Sequence, residues 1–247
     1  MNIETYGTGE RIRTAARLSA TLPIEHLVIL PVPTTKDKIT VAGTDIPLSD
    51  TLANVGRGSL VFGYGLFREY KESVEALGGA CVDLSLDEAF LSENAYVTAI
   101  GAISYILKSE KRIPRDLSFG IVGYGRIGSR LVNMLLFFGA RVRVYTGKML
   151  TRLRLGECGI DSVCIGEGSF DLSGIDVLIN TAPRDMRGAF CDGKIPDKMR
   201  VLELASGDNF SGVEGVEYLA ALPEVMYPES AGRIYYEAIK EYIGEKI

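Results

Sequence analysis

The chain has one histidine, His26, and four cysteines, Cys81, Cys158, Cys164 and Cys191, no two of which stand in a C-x-x-C spacing. With so few imidazole and thiolate ligands, neither a structural metal nor a disulfide framework is expected, and buried free thiols are the simpler reading. Positive charge is also short. Twenty-seven lysines and arginines face 32 aspartates and glutamates, a net charge of -5, which leaves no basic footprint for nucleic acid. No stretch approaches the run of about eighteen apolar residues that a membrane span needs. The opening Met1-Asn2-Ile3-Glu4-Thr5-Tyr6 lacks the charged-then-apolar order of a secretion signal, so a cytoplasmic protein without membrane contact is expected. The composition, 47% apolar and 24% charged over 247 residues, argues against disorder and allows two modest domains, each with its own core.

The chain does contain an apolar run, Leu117-Ser118-Phe119-Gly120-Ile121-Val122, that feeds directly into Gly123-Tyr124-Gly125-Arg126-Ile127-Gly128, followed by the helix-length apolar stretch from Ser129 to Phe138. Strand, G-x-G-x-x-G and helix in this order are the context in which such a turn binds a dinucleotide. Gly123 allows the tight turn, Gly125 lets the backbone approach a pyrophosphate, and Gly128 lets helix and strand pack closely. The helix start directs unpaired N–H groups and its positive dipole end at the phosphates, with Arg126 and Ile127 completing the contact surface.

From Leu117 onward, strand-like runs recur at Ser118 to Val122, Arg141 to Tyr145, Ser162 to Ile165, Asp176 to Asn180, Arg200 to Leu204 and Val216 to Leu219. Alternating with helical stretches, they predict an α/β fold with a doubly wound parallel (Rossmann) sheet. Earlier, Leu27 to Leu30, Ser59 to Phe62 and Ala80 to Leu84 read as strands and Leu66 to Leu77 as a helix, which together make a smaller α/β domain. Glu93 to Lys111 has apolar residues at helical spacing and reads as a connecting helix, with Pro114 at its exit. Ala231 to Ile243 reads as a terminal helix that returns to the first domain. The expected organisation is a small substrate domain over 1–93, completed by a helix within 229–247, and a connecting helix with the dinucleotide-binding domain over 94–228. A chain that crosses twice between domains makes a cleft.

An NAD-preferring turn is usually followed, about twenty residues on, by an acid that binds the ribose 2′-hydroxyl. The segment Arg141-Val142-Arg143-Val144-Tyr145-Thr146-Gly147-Lys148 has no acid. Thr146 and Lys148 suit a 2′-phosphate, so NADP is expected, with NAD as the alternative. Asn180-Thr181-Ala182-Pro183 and Glu203-Leu204-Ala205-Ser206-Gly207-Asp208-Asn209 follow two strands and offer Asn180, Thr181, Pro183 and Ser206 to the nicotinamide half. Turn chemistry alone is the alternative there. Leu30-Pro31-Val32-Pro33-Thr34-Thr35-Lys36 leaves a buried strand through two prolines. It offers Thr34 and Thr35 to an anionic substrate if that strand end faces the cleft, or else forms a rigid connection. His26 lies far from the later sheet in sequence and reads as structural, which disfavours the late histidine base of ordinary 2-hydroxy acid dehydrogenases.

Several stretches form an ordered set across nearly the whole chain: Leu30-Pro31-Val32-Pro33, Asn94 to Gly101, the Gly123 to Gly128 turn, Ile179 to Pro183, Leu204-Ala205-Ser206, Leu222-Pro223 and Pro228-Glu229-Ser230-Ala231-Gly232. In these the chain resembles the family of the A subunit of dipicolinate synthase, from spore-forming bacteria. The resemblance implies a 2-hydroxy acid dehydrogenase-like architecture and NADP-dependent oxidation of a dihydrodipicolinate-type intermediate of lysine biosynthesis to dipicolinate during sporulation. It also implies work beside a flavoprotein-like B subunit in the mother-cell cytoplasm, and it leaves a homo-oligomer open. Thr34, Thr98 and Ser206 are then the candidates for orienting substrate. Arg184, Arg187 and Arg233 are candidate clamps for a dicarboxylate, the alternative being ordinary surface arginines.

The chain also departs from that family. Relatives carry an additional opening strand and helix, so the N-terminus reads as short. Where they show Pro-Thr-x-Glu-Gly, this chain has Val97-Thr98-Ala99-Ile100-Gly101, and Gly207-Asp208-Asn209 replaces a basic or proline-containing turn. Ile100 cannot act as a base, which keeps open a non-catalytic NADP-binding protein with a regulatory or partner role. The other alternative is a reductase of small 2-keto or 2-hydroxy acids.

Overall fold

The structure, a computed structural model, describes residues 2–166, 171–190 and 193–244. In chain order the main elements are β1 (Asn2–Thr5), α1 (Glu10–Ser19), β2 (His26–Ile29), β3 (Ser59–Gly63), α2 (Arg68–Ala76), β4 (Ala80–Asp83), α3 (Glu88–Ser109), β5 (Ser118–Val122), α4 (Arg126–Phe137), β6 (Arg141–Tyr145), α5 (Met149–Glu157), β7 (Asp161–Val163), β8 (Val177–Asn180), β9 (Arg200–Glu203), β10 (Val216–Tyr218), α6 (Leu222–Met226) and α7 (Pro228–Gly244). They form two compact units, Met1–Val97 with Pro223–Ile247, and Thr98–Leu222.

The first unit holds a four-stranded parallel sheet in the order β1-β2-β3-β4. Successive side chains of a strand point to opposite faces, and β2 and β3 use both. Leu27, Ile29 and Phe62 pack with Ile12 and Ala15 of α1 and with Tyr235, Ala238 and Ile239 of α7. Val28, Leu30 and Val61 pack with Tyr70 and Val74 of α2 and with Val41, Leu48 and Val55 of the long β2–β3 connection. Helices α1 and α7 approach closely at Gly232, where a Cβ would come within 2.6 Å of the Arg11 carbonyl oxygen. The buried Tyr235 hydroxyl lies 3.0 Å from the Leu30 carbonyl oxygen and 2.9 Å from that of Phe62, and donates to this pair of strand ends. The expected domain opens at residue 1, but its first expected element is the strand at Leu27, so β1 and α1 lie ahead of anything the apolar runs mark. β1 is polar and only partly buried, and α1 carries Arg11, Arg13 and Arg17, so neither stands out as an apolar run.

The second unit holds a six-stranded parallel sheet in the order β10-β9-β8-β5-β6-β7. The chain winds from β5 through β6 to β7 on one side and from β8 through β9 to β10 on the other. This is the doubly wound arrangement expected, and its topological switch point lies between β5 and β8. All six expected strands are present within a few residues. The connecting helix starts earlier than its apolar spacing suggests, at Glu88, because the Asp87 carboxylate accepts from the Phe90 N–H at 2.9 Å and caps the first turn.

Candidate functional site

β5 lies between β6 and β8, and its last residue, Val122, is in register with Tyr145 on one side and Asn180 on the other. The chain then turns at Gly123, whose φ of +88° is a conformation that L side chains rarely adopt. Helix α4 begins at Arg126 behind Gly125, with no side-chain cap on its N-terminus. Its first N–H groups and positive dipole end are left to an acceptor from outside the helix. No atom lies within 4 Å of where a Cβ on Gly125 would sit. Gly128 is the opposite case, because a Cβ there would collide with the Gly123 carbonyl oxygen and come within 3.0 Å of Thr181 Oγ1. Thr181 fastens the switch point: its N–H and its hydroxyl each donate to the Val122 carbonyl oxygen at 2.9 Å.

Beside this turn Asn180 and Glu203, the last residues of β8 and β9, form a buried pair. The Asn180 amide donates to Glu203 Oε2 at 3.0 Å, Glu203 Oε1 at 3.2 Å and the Ala182 carbonyl oxygen at 3.0 Å, while its oxygen accepts from the Ala182 N–H at 3.2 Å. Glu203 Oε1 also accepts from the Ala205 N–H at 2.6 Å. Burial pushes the Glu203 carboxyl up, against the opposing hydrogen bonds from Asn180, Ala205 and Asn209. Asn180 thus shapes the 180–183 turn and keeps its amide inside it. Ser206 and Pro183 are exposed. Sequence reading missed the buried role of Glu203. The available signal was an acid closing a strand whose preceding residues, Val201 and Leu202, are apolar.

At the end of β6 Thr146 is buried and its hydroxyl accepts from the Lys148 N–H at 3.3 Å, while Lys148 is exposed just ahead of α5. Ile127 is half-buried and Arg126 exposed on α4, and Thr98 is buried in α3. In the first unit Thr34 has no exposure. Its hydroxyl donates to the Pro31 carbonyl oxygen at 3.2 Å and accepts from the Tyr64 N–H at 2.8 Å, so both of its capacities serve the loop. Thr35 is half-buried and donates to Asp37 at 3.1 Å. Arg184 donates to the Gly166 carbonyl oxygen at 2.6 Å, Arg187 pairs with Asp185, and Arg233 is exposed on α7. His26 lies 2.8 Å from Ser59 Oγ through Nδ1 and 3.3 Å from Glu4 through Nε2.

The expectation of buried thiols needs correction. Cys158 and Cys164 are free and exposed, one closing α5 and the other just beyond the edge strand β7. Cys81 is half-buried, and burial pushes its thiol up to about 12. Cys191 lies outside the described residues. Among the described residues no group of three or more histidine, cysteine or acidic side chains could hold a metal ion, and no helix is long and apolar enough to cross a membrane.

Neither a protein-family model nor a curated protein matches the chain. Solved structures do. The A subunit of dipicolinate synthase from Bacillus halodurans superposes with a TM-score of 0.78 at 19% identity, over 98% of this chain and 97% of that one. Its counterpart in the dipicolinate synthase of Bacillus subtilis gives 0.75 at 20% identity, over 99% and 96%. A D-isomer specific 2-hydroxyacid dehydrogenase from Lactobacillus delbrueckii ssp. bulgaricus, in its NAD-complexed form, gives 0.54 at 11% identity, over 98% and 96%. The chain therefore shares the fold of these dipicolinate synthase A subunit structures and, more loosely, that of the dehydrogenase, at 11–20% sequence identity.

Proposed function

We propose that the chain is an NADP-dependent oxidoreductase subunit that oxidises a dihydrodipicolinate-type intermediate to dipicolinate, beside a B-type flavoprotein subunit, during sporulation. The observation that carries the reading is the turn over 123–128. Its one outward glycine, Gly125, has open space where a side chain would be, and it stands at the uncapped start of α4. A pyrophosphate fits there because backbone N–H groups and the helix dipole meet its charge at short range. Lys148 and the Thr146 hydroxyl would receive the 2′-phosphate, with no nearby acid on β6 to repel it. NADP, when bound, supplies the hydride acceptor.

This chain's own residues would bind and orient. Thr181 and the Asn180–Glu203 pair hold the switch-point backbone in shape, and the hydroxyls of Thr98 on α3 and of Ser206 beyond β9 would orient substrate and nicotinamide. Aromatisation of the ring favours loss of the hydride, leaving one proton to be removed and little need for an imidazole base.

The test is purified chain, with and without a B-type subunit, mixed with freshly generated dihydrodipicolinate and NADP or NAD while dipicolinate absorbance is followed. Product that depends on NADP is expected. Saturable coenzyme binding without product in any pairing would instead mark a non-catalytic coenzyme-binding subunit. Turnover of 2-keto acids would mark a different reductase.

A further inference from the structure

Arg11 is 3% exposed, in the first turn of α1. Arginine is almost never buried to this extent unless it is paired with an acid, and a cation in a helix's first turn also opposes the helix dipole. Yet among the described residues no carboxylate oxygen lies within 4.0 Å of its guanidinium. Its one hydrogen bond runs from Nη2 to the neutral Asn94 Oδ1, at 2.8 Å. Nε is buried with no partner. The guanidinium stands over the Phe90 ring, 5.5 Å from its centroid, and burial lowers its pKa to about 10, which leaves it charged at neutral pH. Glu224, the acid that acts on it electrostatically from farther off, packs its carboxylate against Gly9 at the start of α1, where no side-chain cap is present.

We propose that Arg11, flanked by Asn94 and backed by Phe90, is a carboxylate-binding site in the first unit that receives one carboxylate of a planar dicarboxylic substrate. Nε and Nη2 form the side-on edge of a guanidinium, whose two parallel N–H groups match the two oxygens of a carboxylate. Nε is unpartnered and Nη2 keeps a second hydrogen beyond the one given to Asn94. A buried cation with no carboxylate in direct contact attracts an anion strongly, even with Glu224 acting from farther off, because little water competes for it. The site names the dicarboxylate clamp that the proposed oxidation needs and in that respect rests on it, but carboxylate binding at Arg11 does not depend on the coenzyme.

The experiment is calorimetric titration of the full chain, free of coenzyme, with pyridine-2,6-dicarboxylate, glutarate and chloride, using wild type, Arg11→Lys and Arg11→Met. NADP is titrated in parallel. The expected result is saturable binding of the pyridine dicarboxylate to wild type, at least ten-fold weaker in Arg11→Lys, which keeps the charge and loses the fork. NADP affinity should be the same in both. On wild type alone, the Arg11 Nε–H resonance should move on addition of the dicarboxylate and stay in place with chloride, a readout that survives if either variant fails to fold. Wild type that binds neither dicarboxylate, equal binding by Arg11→Lys, or an unmoved Nε–H signal would each overturn the proposal. Dicarboxylate binding that persists in a chain unable to bind NADP would sink the proposed oxidation and leave this site standing.

Discussion

Gly125 and Gly128 are three residues apart and meet opposite surroundings. Gly125→Ala has open space for its methyl group at φ -93°, so thermal stability should be unchanged while NADP affinity, read by fluorescence titration, falls about ten-fold as the methyl blocks backbone approach. Gly128→Ala drives a methyl group into the Gly123 carbonyl oxygen and should lower stability by about 2 kcal/mol in denaturant unfolding. If the two variants behave alike, the phosphates are not at this turn. Thr34→Val removes a buried hydroxyl that both donates and accepts and should cost about 1–3 kcal/mol of stability without affecting NADP affinity. The glycines were legible because their spacing is local. Arg11 and Glu203 were not, since their burial comes from partners 83 and 23 residues away and an isolated charged side chain reads as surface.

At the scale of elements, β10 is the edge strand whose Glu217 ties it to neighbouring elements. Arg200 of β9 donates to both Glu217 oxygens at 2.8 Å, and the Tyr105 hydroxyl of α3 donates to Oε2 at 2.6 Å. The hydrogen bonds from Arg200 hold the Glu217 carboxyl below its ordinary value of 4.5. A depressed folded-state pKa contributes stability that is complete above that value and is lost as pH falls through the lower folded one. Glu217→Gln should therefore cost about 1 kcal/mol at pH 7, after allowance for solvent screening of a partly exposed pair, and the difference from wild type should shrink below pH 4.5. Denaturant unfolding at pH 7 and pH 3 checks this, and an equal difference at both would refute it. The strands β5 to β10 were readable because parallel strands buried on both faces are near-continuous apolar runs. β1 escaped notice because it alternates polar residues at a partly covered position, and α1 because its inward face includes an arginine.

For the whole molecule, the second unit is one uninterrupted segment, whereas the first needs α7 from the far end of the chain. NADP at a hundred times its dissociation constant should stabilise the second unit by about 2.7 kcal/mol, seen in calorimetry as an upward shift of one transition with the other unmoved. Removing residues 228–247 strips Tyr235 and Ile239 from the face made by Leu27, Ile29 and Phe62. The truncated chain should lose the first unit's transition and retain saturable NADP binding.

The distant origin of α7 also sets an order of assembly. On a ribosome the strands bearing Leu27 and Phe62 emerge early, while the helix that shields them is translated after the entire Thr98–Leu222 segment. The unit begun first is finished last, so the nascent chain carries a sticky, half-dressed sheet throughout the making of its neighbour, a window in which chaperone capture competes with aggregation.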